Sequence, residues 1–219
     1  ESRCSHSFID TSSRENYLFN SKINGIEEAD LILLIGANPR YEATMINARI
    51  RKAYLNNKTN IISLNDVGDL TYPYKNLDGK TETFKNIVEN RHEISKDILA
   101  SKKPMIILGE SFLKNKSAEF LFNSLKNFLF KNNKYVDNWN PLNILSTDAA
   151  TVGNFDLDVV NADCELLNDL NENKFELIYL LGQDNLNFKK KNEFIIYQGS
   201  HGDRGAEIAD IILPRAAYT

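Results

Sequence analysis

Short apolar runs that end in glycine alternate with segments of helical spacing, and this alternation constrains the fold more than any other feature. Leu31–Ile35, Pro104–Leu108 and Phe175–Leu181 are each followed directly by a glycine. Runs of this length and composition are typical of strands that are buried on both faces of a sheet. Similar patterns predict further strands over residues 60–64, 194–197 and 210–213.

Segments of helical periodicity lie between these strands. The spacing of apolar residues predicts helices over Pro39–Tyr54, Glu82–Ala100 and residues 118–129, and a weaker pattern covers Asp163–Leu170. Alternation of strands with helices is typical of an α/β fold. We therefore expect a mostly parallel, Rossmann-like sheet with helices on both faces.

The loops after the glycine-terminated strands are the first places to look for a ligand. In α/β folds, ligands bind beyond the carboxyl ends of the strands. This rule selects the loops Gly36–Asn38, Gly109–Ser111 and Gly182–Asp184.

Length and charge exclude several classes of protein. The chain has 219 residues and a net charge of -4, so it lacks the basic excess typical of proteins that bind nucleic acid. The longest strongly apolar run is far shorter than the roughly 20 residues that a membrane-spanning helix needs. The length suits one domain or two lobes around a common core. We predict a first lobe over about residues 17–145 and a second over about 146–219.

The metal-binding inventory is small. Cys4 and Cys164 are the only cysteines, and His6, His92 and His201 are scattered along the chain. An iron–sulfur cluster or a structural zinc ion normally requires about four such ligands close together. The sequence therefore predicts no metal centre in this chain.

Two polar segments admit more than one interpretation. Gly36–Arg40 follows a strand and opens a helix, so Asn38 and Arg40 form either a phosphate-binding corner or a simple helix cap. Arg49, Arg51 and Lys52 lie near the end of the same predicted helix. There they either complement the helix dipole or form a docking surface for an acidic partner.

A glycine-rich segment lies near the end of the sequence. Between Tyr197 and Gly205, glycines occur at every third position and flank His201 and Asp203. The histidine and the aspartate invite an acid–base interpretation. They are two residues apart in a turn, however, and no nucleophile motif or third orienting group accompanies them. The residues predict no complete catalytic site.

The same segments resemble the family of the large iron–sulfur subunit of respiratory complex I, NADH:ubiquinone oxidoreductase. The resemblance spans nearly the whole chain and includes exposed polar positions. It rests on residues 17–20, 25–36, 38–43, 47–52, 69–72, 103–109, 197–203, 205–214 and 216–219. That family resembles molybdopterin oxidoreductases in its C-terminal part. The resemblance implies that residues 1–219 are this molybdopterin-oxidoreductase-like part alone, without the cluster-binding N-terminal domain.

In molybdopterin enzymes, loops that match those after Gly36, Gly182 and Gly199 face the cofactor. The resemblance thus makes Asn38, Arg40, Gln183 and His201 candidates for a vestigial cofactor pocket. The sequence departs from the family pattern at Thr44, where a proline is usual, and at Arg215, where a glycine is usual. A long cation near such a pocket argues against a bound cofactor.

The resemblance implies an accessory role in the peripheral arm of complex I. The chain would pack against an iron–sulfur-bearing polypeptide and other peripheral-arm subunits on the matrix side of the mitochondrial inner membrane. The 4Fe-4S and 2Fe-2S clusters would belong to that partner or to the missing N-terminal domain, and this chain would hold neither a metal nor a cofactor. Two alternatives stay open: a domain that binds a molybdopterin dinucleotide, and a stand-alone α/β domain that binds a small molecule.

Overall fold

The computed structural model describes residues 8–159, 166–183 and 188–217. The chain divides into two compact units, a larger one over Ser7–Asp158 and a smaller one that includes Val159–Thr219. The sequence suggests a boundary near residue 146. The division falls later because Asp156 accepts hydrogen bonds from Arg14 and Tyr17, which hold the segment after residue 146 on the larger unit.

Five parallel strands form the sheet of the larger unit. They are β1 (Leu31–Ile35), β2 (Asn60–Ser63), β3 (Lys75–Asn76), β4 (Pro104–Leu108) and β5 (Leu142–Ile144). Their order is β3-β2-β1-β4-β5, and in register Leu31 pairs with Asn60 on one side and with Pro104 on the other. The predicted α/β class with a parallel sheet is confirmed.

The helices of the larger unit lie on both faces of this sheet. They are α1 (Pro39–Glu42), α2 (Thr44–Asn57), α3 (Thr81–Val88), α4 (Glu93–Ala100), α5 (Glu110–Leu113), α6 (Ala118–Lys131) and α7 (Thr151–Asp156). Because successive side chains of a strand point to opposite faces, β1 contributes to two cores. Leu31 and Leu33 pack in the cluster that includes α3, α4 and α6, whereas Ile32 and Leu34 pack in the cluster that includes α2.

Two predicted helices are each divided in the structure. The segment predicted over Pro39–Tyr54 breaks at Ala43, which has φ -153°, into α1 and α2. The segment predicted over Glu82–Ala100 breaks at Asn90, which has a left-handed φ of 61°. Apolar residues before and after the second break face the same core, so the helical spacing continued across it.

The structure also adds two strands that the sequence analysis missed. β3 has only two residues. β5 carries the fully buried Asn143, which interrupts the apolar pattern. The Asn143 side chain accepts a hydrogen bond of 2.8 Å from the Ser21 backbone nitrogen and donates one to the Pro141 carbonyl. These bonds satisfy the amide group inside the sheet.

The smaller unit contains a second parallel sheet. Its elements are α8 (Leu166–Asn171), β6 (Leu177–Leu181), β7 (Phe194–Gly199), α9 (Arg204–Ile208) and β8 (Ile211–Pro214), with strand order β6-β7-β8. The three strands lie where the sequence predicted them, with slightly shifted ends. The predicted helix over Asp163–Leu170 begins outside the described residues, and its described part belongs to α8. Within the described residues, no helix has both the length and the apolar character that a membrane crossing requires.

Candidate functional site

The strand order of the larger sheet reverses between β1 and β4, which is where ligands bind in folds of this type. A methyl group in place of the Gly109 hydrogen would lie 2.2 Å from the Gly36 carbonyl oxygen. One on Gly36, which has φ +62°, would lie 2.4 Å from the backbone nitrogen of Phe112. The loops after β1 and β4 therefore touch each other through backbone atoms. This contact leaves little room between the two loops for a ligand.

Asn38 follows β1 and precedes α1, as the sequence predicted, but its side chain does not cap the helix. Its Nδ2 atom donates a hydrogen bond of 3.0 Å to the Val67 carbonyl. Its Oδ1 atom is buried and has no hydrogen-bond partner among the described residues. A buried acceptor oxygen repels a phosphate group instead of binding it, since a phosphate needs donors. Asn38 thus does not fit a phosphate-binding corner.

Arg40 is engaged by the larger unit itself. Its Nη1 atom donates to the Asp69 backbone carbonyl and, at 2.6 Å, to the Asp69 carboxylate. The Thr71 backbone amide and the Arg40 guanidinium together hold the pKa of Asp69 below its ordinary value. Arg40 therefore ties α1 to the loop after β2, and its charge is already matched.

Two carboxylates lie near the carboxyl ends of β1 and β4. Burial raises the pKa of Glu42, a backbone hydrogen bond at Asn38 opposes this, and the charge of Glu110 raises it further. Glu110 itself pairs with Lys114 at 2.7 Å and accepts a hydrogen bond from the Thr147 hydroxyl. Glu110 is thus already engaged by Lys114 and Thr147 within the larger unit.

A small depression and a larger groove lie on the larger unit. The depression near Gly36, Asn65 and Thr81 has a volume of about 100 Å³. Ligand pockets commonly measure roughly 300–1,000 Å³, so it is too small for a dinucleotide. The groove, of about 420 Å³, lies between α3 and α6 in the helix layer and not at the strand ends.

The cations near the end of α2 have partners within the chain. Arg49 pairs with one carboxylate oxygen of Glu27, and Lys52 pairs with the other at 2.8 Å. Hydrogen bonds from Lys52 and Arg49 lower the pKa of Glu27. For these two cations the acidic partner is Glu27 itself, so only Arg51 is left for the predicted docking surface.

In the smaller unit, Arg215 covers the end of β6. Gly182 follows β6 with φ +62°, and a methyl group on it would lie 2.5 Å from the Arg215 Nη1 atom. The Arg215 backbone nitrogen donates a hydrogen bond of 3.0 Å to the Gly199 carbonyl at the end of β7. The exposed Arg215 side chain thus lies in the space beside Gly182.

Gln183 and His201 follow β6 and β7 in the smaller unit, and Asp184 lies outside the described residues. The His201 Nδ1 atom lies 3.0 Å from the Ser200 hydroxyl, and the imidazole is exposed. Within the described ranges, no hydrogen bond or ion pair joins His201 to Asp203. The acid–base interpretation of His201 and Asp203 thus gains no support from the described geometry.

No group of His, Cys, Asp and Glu side chains suited to a metal ion occurs among the described residues. Cys4, His6 and Cys164 lie outside them. Asn38 and Arg40 belong to the larger unit, whereas Gln183 and His201 belong to the smaller one. The sequence did not reveal that Asp69 and Glu27 are the partners of the candidate cations. It also did not reveal that the loops after β1 and β4 contact each other at the candidate site.

These features define a parallel α/β protein whose strand ends are largely closed by its own side chains and backbone. The chain belongs to the molybdopterin oxidoreductase family, whose model matches residues 2–219.

Similar curated proteins narrow this class. The chain is 41% identical to the NADH-ubiquinone oxidoreductase 75 kDa subunit of Reclinomonas americana, over 94% of the chain and 30% of that protein. It is 39% identical to the mitochondrial 78 kDa subunit of Neurospora crassa, over 94% of the chain and 27% of that protein. It is also 39% identical to an NADH-quinone oxidoreductase subunit of Rickettsia bellii, over 96% of the chain and 30% of that protein. The chain thus spans less than a third of the length of these relatives.

The family name raises the question of whether a molybdopterin fits. In the larger unit the residues at the strand ends offer a buried acceptor, a matched arginine and two carboxylates. In the smaller unit the Arg215 guanidinium occupies the space beside Gly182. The described strand ends of the larger unit therefore do not fit this cofactor.

Proposed function

We propose that this chain is an accessory module of the peripheral arm of an NADH:quinone oxidoreductase, respiratory complex I. In this role it packs against the iron–sulfur-bearing polypeptide and holds no redox centre of its own. The observation that carries the proposal is identity of 38–41% to subunits of such enzymes over at least 94% of the chain. Identity at this level over nearly the whole chain supports a shared role as well as a shared fold.

The structure supports a scaffolding role in a specific way. The charged side chains that the sequence marked as ligand candidates serve to join elements of the fold. Arg40 connects α1 to the loop after β2, and Arg49 and Lys52 connect α2 to Glu27. The partners of these groups lie within the chain, and each surface ion pair of this kind contributes about 1 kcal/mol or less to stability.

In this proposal, electron transfer takes place beside the chain and not through it. The 4Fe-4S and 2Fe-2S clusters belong to the neighbouring polypeptide, and this chain shields their surroundings from water. Relatives from Neurospora crassa and Candida albicans carry "mitochondrial" in their names. We place this chain, by analogy, on the matrix side of the mitochondrial inner membrane.

Native purification tests the assignment. A tagged chain expressed in its own cells is expected to co-migrate on a native gel with NADH dehydrogenase activity. Migration as a free chain of 25.0 kDa would contradict the assignment.

Metal analysis tests the absence of a redox centre. In the purified chain, iron and molybdenum are both expected far below one atom per chain. Stoichiometric iron or molybdenum, or a pterin released on extraction, would overturn this part of the proposal and favour a cofactor-binding enzyme domain.

A further inference from the structure

The sheet of the smaller unit has two very different faces. Leu180, Ile195 and Tyr197 point to one face and are at most 4% exposed. They pack with Leu170 of α8 and with Phe188. The core thus covers this face at β6 and β7, whereas Ile212 of β8, in register with Tyr197, is 56% exposed.

The opposite face is apolar as well but is open. Side chains alternate along each strand, and partners in register point to the same side. Leu177 of β6 pairs with Phe194 of β7. Tyr179 of β6 and Ile211 of β8 pair with the same residue of β7, and Leu181 and Leu213 likewise share a partner on β7. We call six residues of this side the bare face: Leu177, Tyr179, Leu181, Phe194, Ile211 and Leu213. Ile196 and Gln198 of β7 lie on the same side, and Gln198 accepts a hydrogen bond of 2.6 Å from the Tyr179 hydroxyl.

The bare face is exposed to an unusual degree. Leu177 is 56% exposed, Leu181 is 62% exposed and Ile211 is 44% exposed. Parallel sheets are normally covered on both faces, as the larger sheet of this chain is. A contiguous exposed apolar patch of this kind marks an interaction site.

The geometry of the sheet indicates what covers it. Parallel sheets are covered by helices that present an apolar stripe, whereas face-to-face packing of sheets is characteristic of antiparallel sandwiches. A helix is therefore a better complement to the bare face than the same face of a second copy. The curated relatives contain more than twice as much polypeptide beyond the part that this chain matches, since it spans only 27–30% of their lengths.

We infer that the bare face binds an amphipathic helix of the polypeptide that corresponds to the rest of these longer relatives. The helix lays an apolar stripe across the three strands and turns its polar side outward. This inference rests on the proposed function, because it takes the partner from the complex in which the relatives are named as subunits. The inference adds to the proposed function the surface of this chain and the type of partner element that contact each other.

Site-specific photo-cross-linking tests the inference directly. The full chain carries p-benzoylphenylalanine in place of Tyr179 on the bare face or, as a matched control, in place of Tyr41, which is 79% exposed on α1. After irradiation in cells, the co-migrating complex is digested and the cross-linked peptides are sequenced. Position 179 is expected to attach to a helical segment with an apolar stripe that lies outside residues 1–219, and position 41 is not expected to attach to that segment.

The alternative outcomes each overturn the inference. Cross-links from position 179 to residues 8–158 of the same chain would show that the chain covers its own face. Cross-links to a second copy would show a homodimer. Absence of cross-links in a complex that still forms would show that the face stays open. These three results leave the proposed function standing, whereas failure to co-migrate with NADH dehydrogenase activity removes it.

A pair of charge substitutions provides an independent test. Leu181→Glu places a carboxylate on the bare face, and Leu55→Glu does so on α2, where Leu55 is 55% exposed. Leu181→Glu is expected to lower recovery in the complex roughly tenfold or more, because an unpaired charge in an apolar interface is costly. Leu55→Glu is expected to leave recovery nearly unchanged. Equal recovery of both variants, with circular dichroism showing that both are folded, would contradict the inference.

Discussion

At the scale of single residues, Asp30 holds the beginnings of two strands together. Its carboxylate accepts hydrogen bonds from the Ser101 hydroxyl, from the Lys102 backbone nitrogen at 2.7 Å and from the Lys103 backbone nitrogen at 3.1 Å. Burial by itself raises the pKa of Asp30, but these hydrogen bonds outweigh it and hold the pKa below its ordinary value. One side chain thus fixes the turn before β4 to the start of β1.

Asp30→Asn is expected to lower the free energy of unfolding by about 1 kcal/mol at neutral pH, a modest value because the site is partly exposed. Since the folded pKa is depressed, the carboxylate stabilises the fold above its unfolded pKa of about 3.9, and this contribution is lost as pH falls through the folded value. The difference between wild type and variant should therefore shrink in acid. Urea denaturation at pH 7 and near pH 3 measures it. The control is Asp97→Asn on the exposed side of α4, which is expected to change the free energy of unfolding at pH 7 by less than about 0.5 kcal/mol.

Residue types at the strand ends could be predicted from the sequence, but their partners could not. The alternation of apolar runs and glycines placed Asn38 and Arg40 correctly after β1. Nothing local indicated that Asp69, 29 residues from Arg40, would match its charge. An ion pair depends on where two distant loops meet, and the order of the strands decides that.

At the scale of elements, the contact between the loops after β1 and β4 defines what this fold can bind. Gly109 is required because backbone atoms of Gly36 and Ala37 lie where a Cβ atom would be. The sequence pattern placed a glycine directly after each of these two strands. The contact between the two loops depends on β1 and β4 being neighbours in the sheet, which the sequence pattern alone did not specify.

Gly109→Ala is expected to destabilise the protein by about 3 kcal/mol, because backbone atoms must move to admit the methyl group. Gly153→Ala is a matched control, since Gly153 lies in α7 with nothing within 4 Å of its added methyl group. That change should be neutral or should stabilise the protein by up to about 1 kcal/mol. Thermal or urea denaturation measures both variants. Similar effects of the two changes would show that the loops are not in the close contact described.

At the scale of the whole molecule, the two units differ in how completely they bury their sheets. The larger sheet has an apolar cluster on each face, and the smaller sheet has one cluster on one face. Periodicity predicted the strands of both sheets. It could not distinguish a covered face from an open one, because the apolar residues of β6 and β8 look the same in either case. Coverage depends on elements elsewhere in the chain or in a partner.

This difference predicts unequal local stability in the isolated chain. With one face open, the smaller sheet loses less apolar contact when it opens, so its amides should exchange with solvent more readily. Hydrogen–deuterium exchange followed by mass spectrometry is expected to show protection in β6, β7 and β8 that is ~100-fold lower than in β1 and β4. In the co-purified complex, protection of the smaller sheet should rise while that of β1 and β4 changes little. Equal protection of both sheets in the isolated chain would show that the smaller unit is as well supported as the larger one, and that the open apolar face needs no partner to be stable.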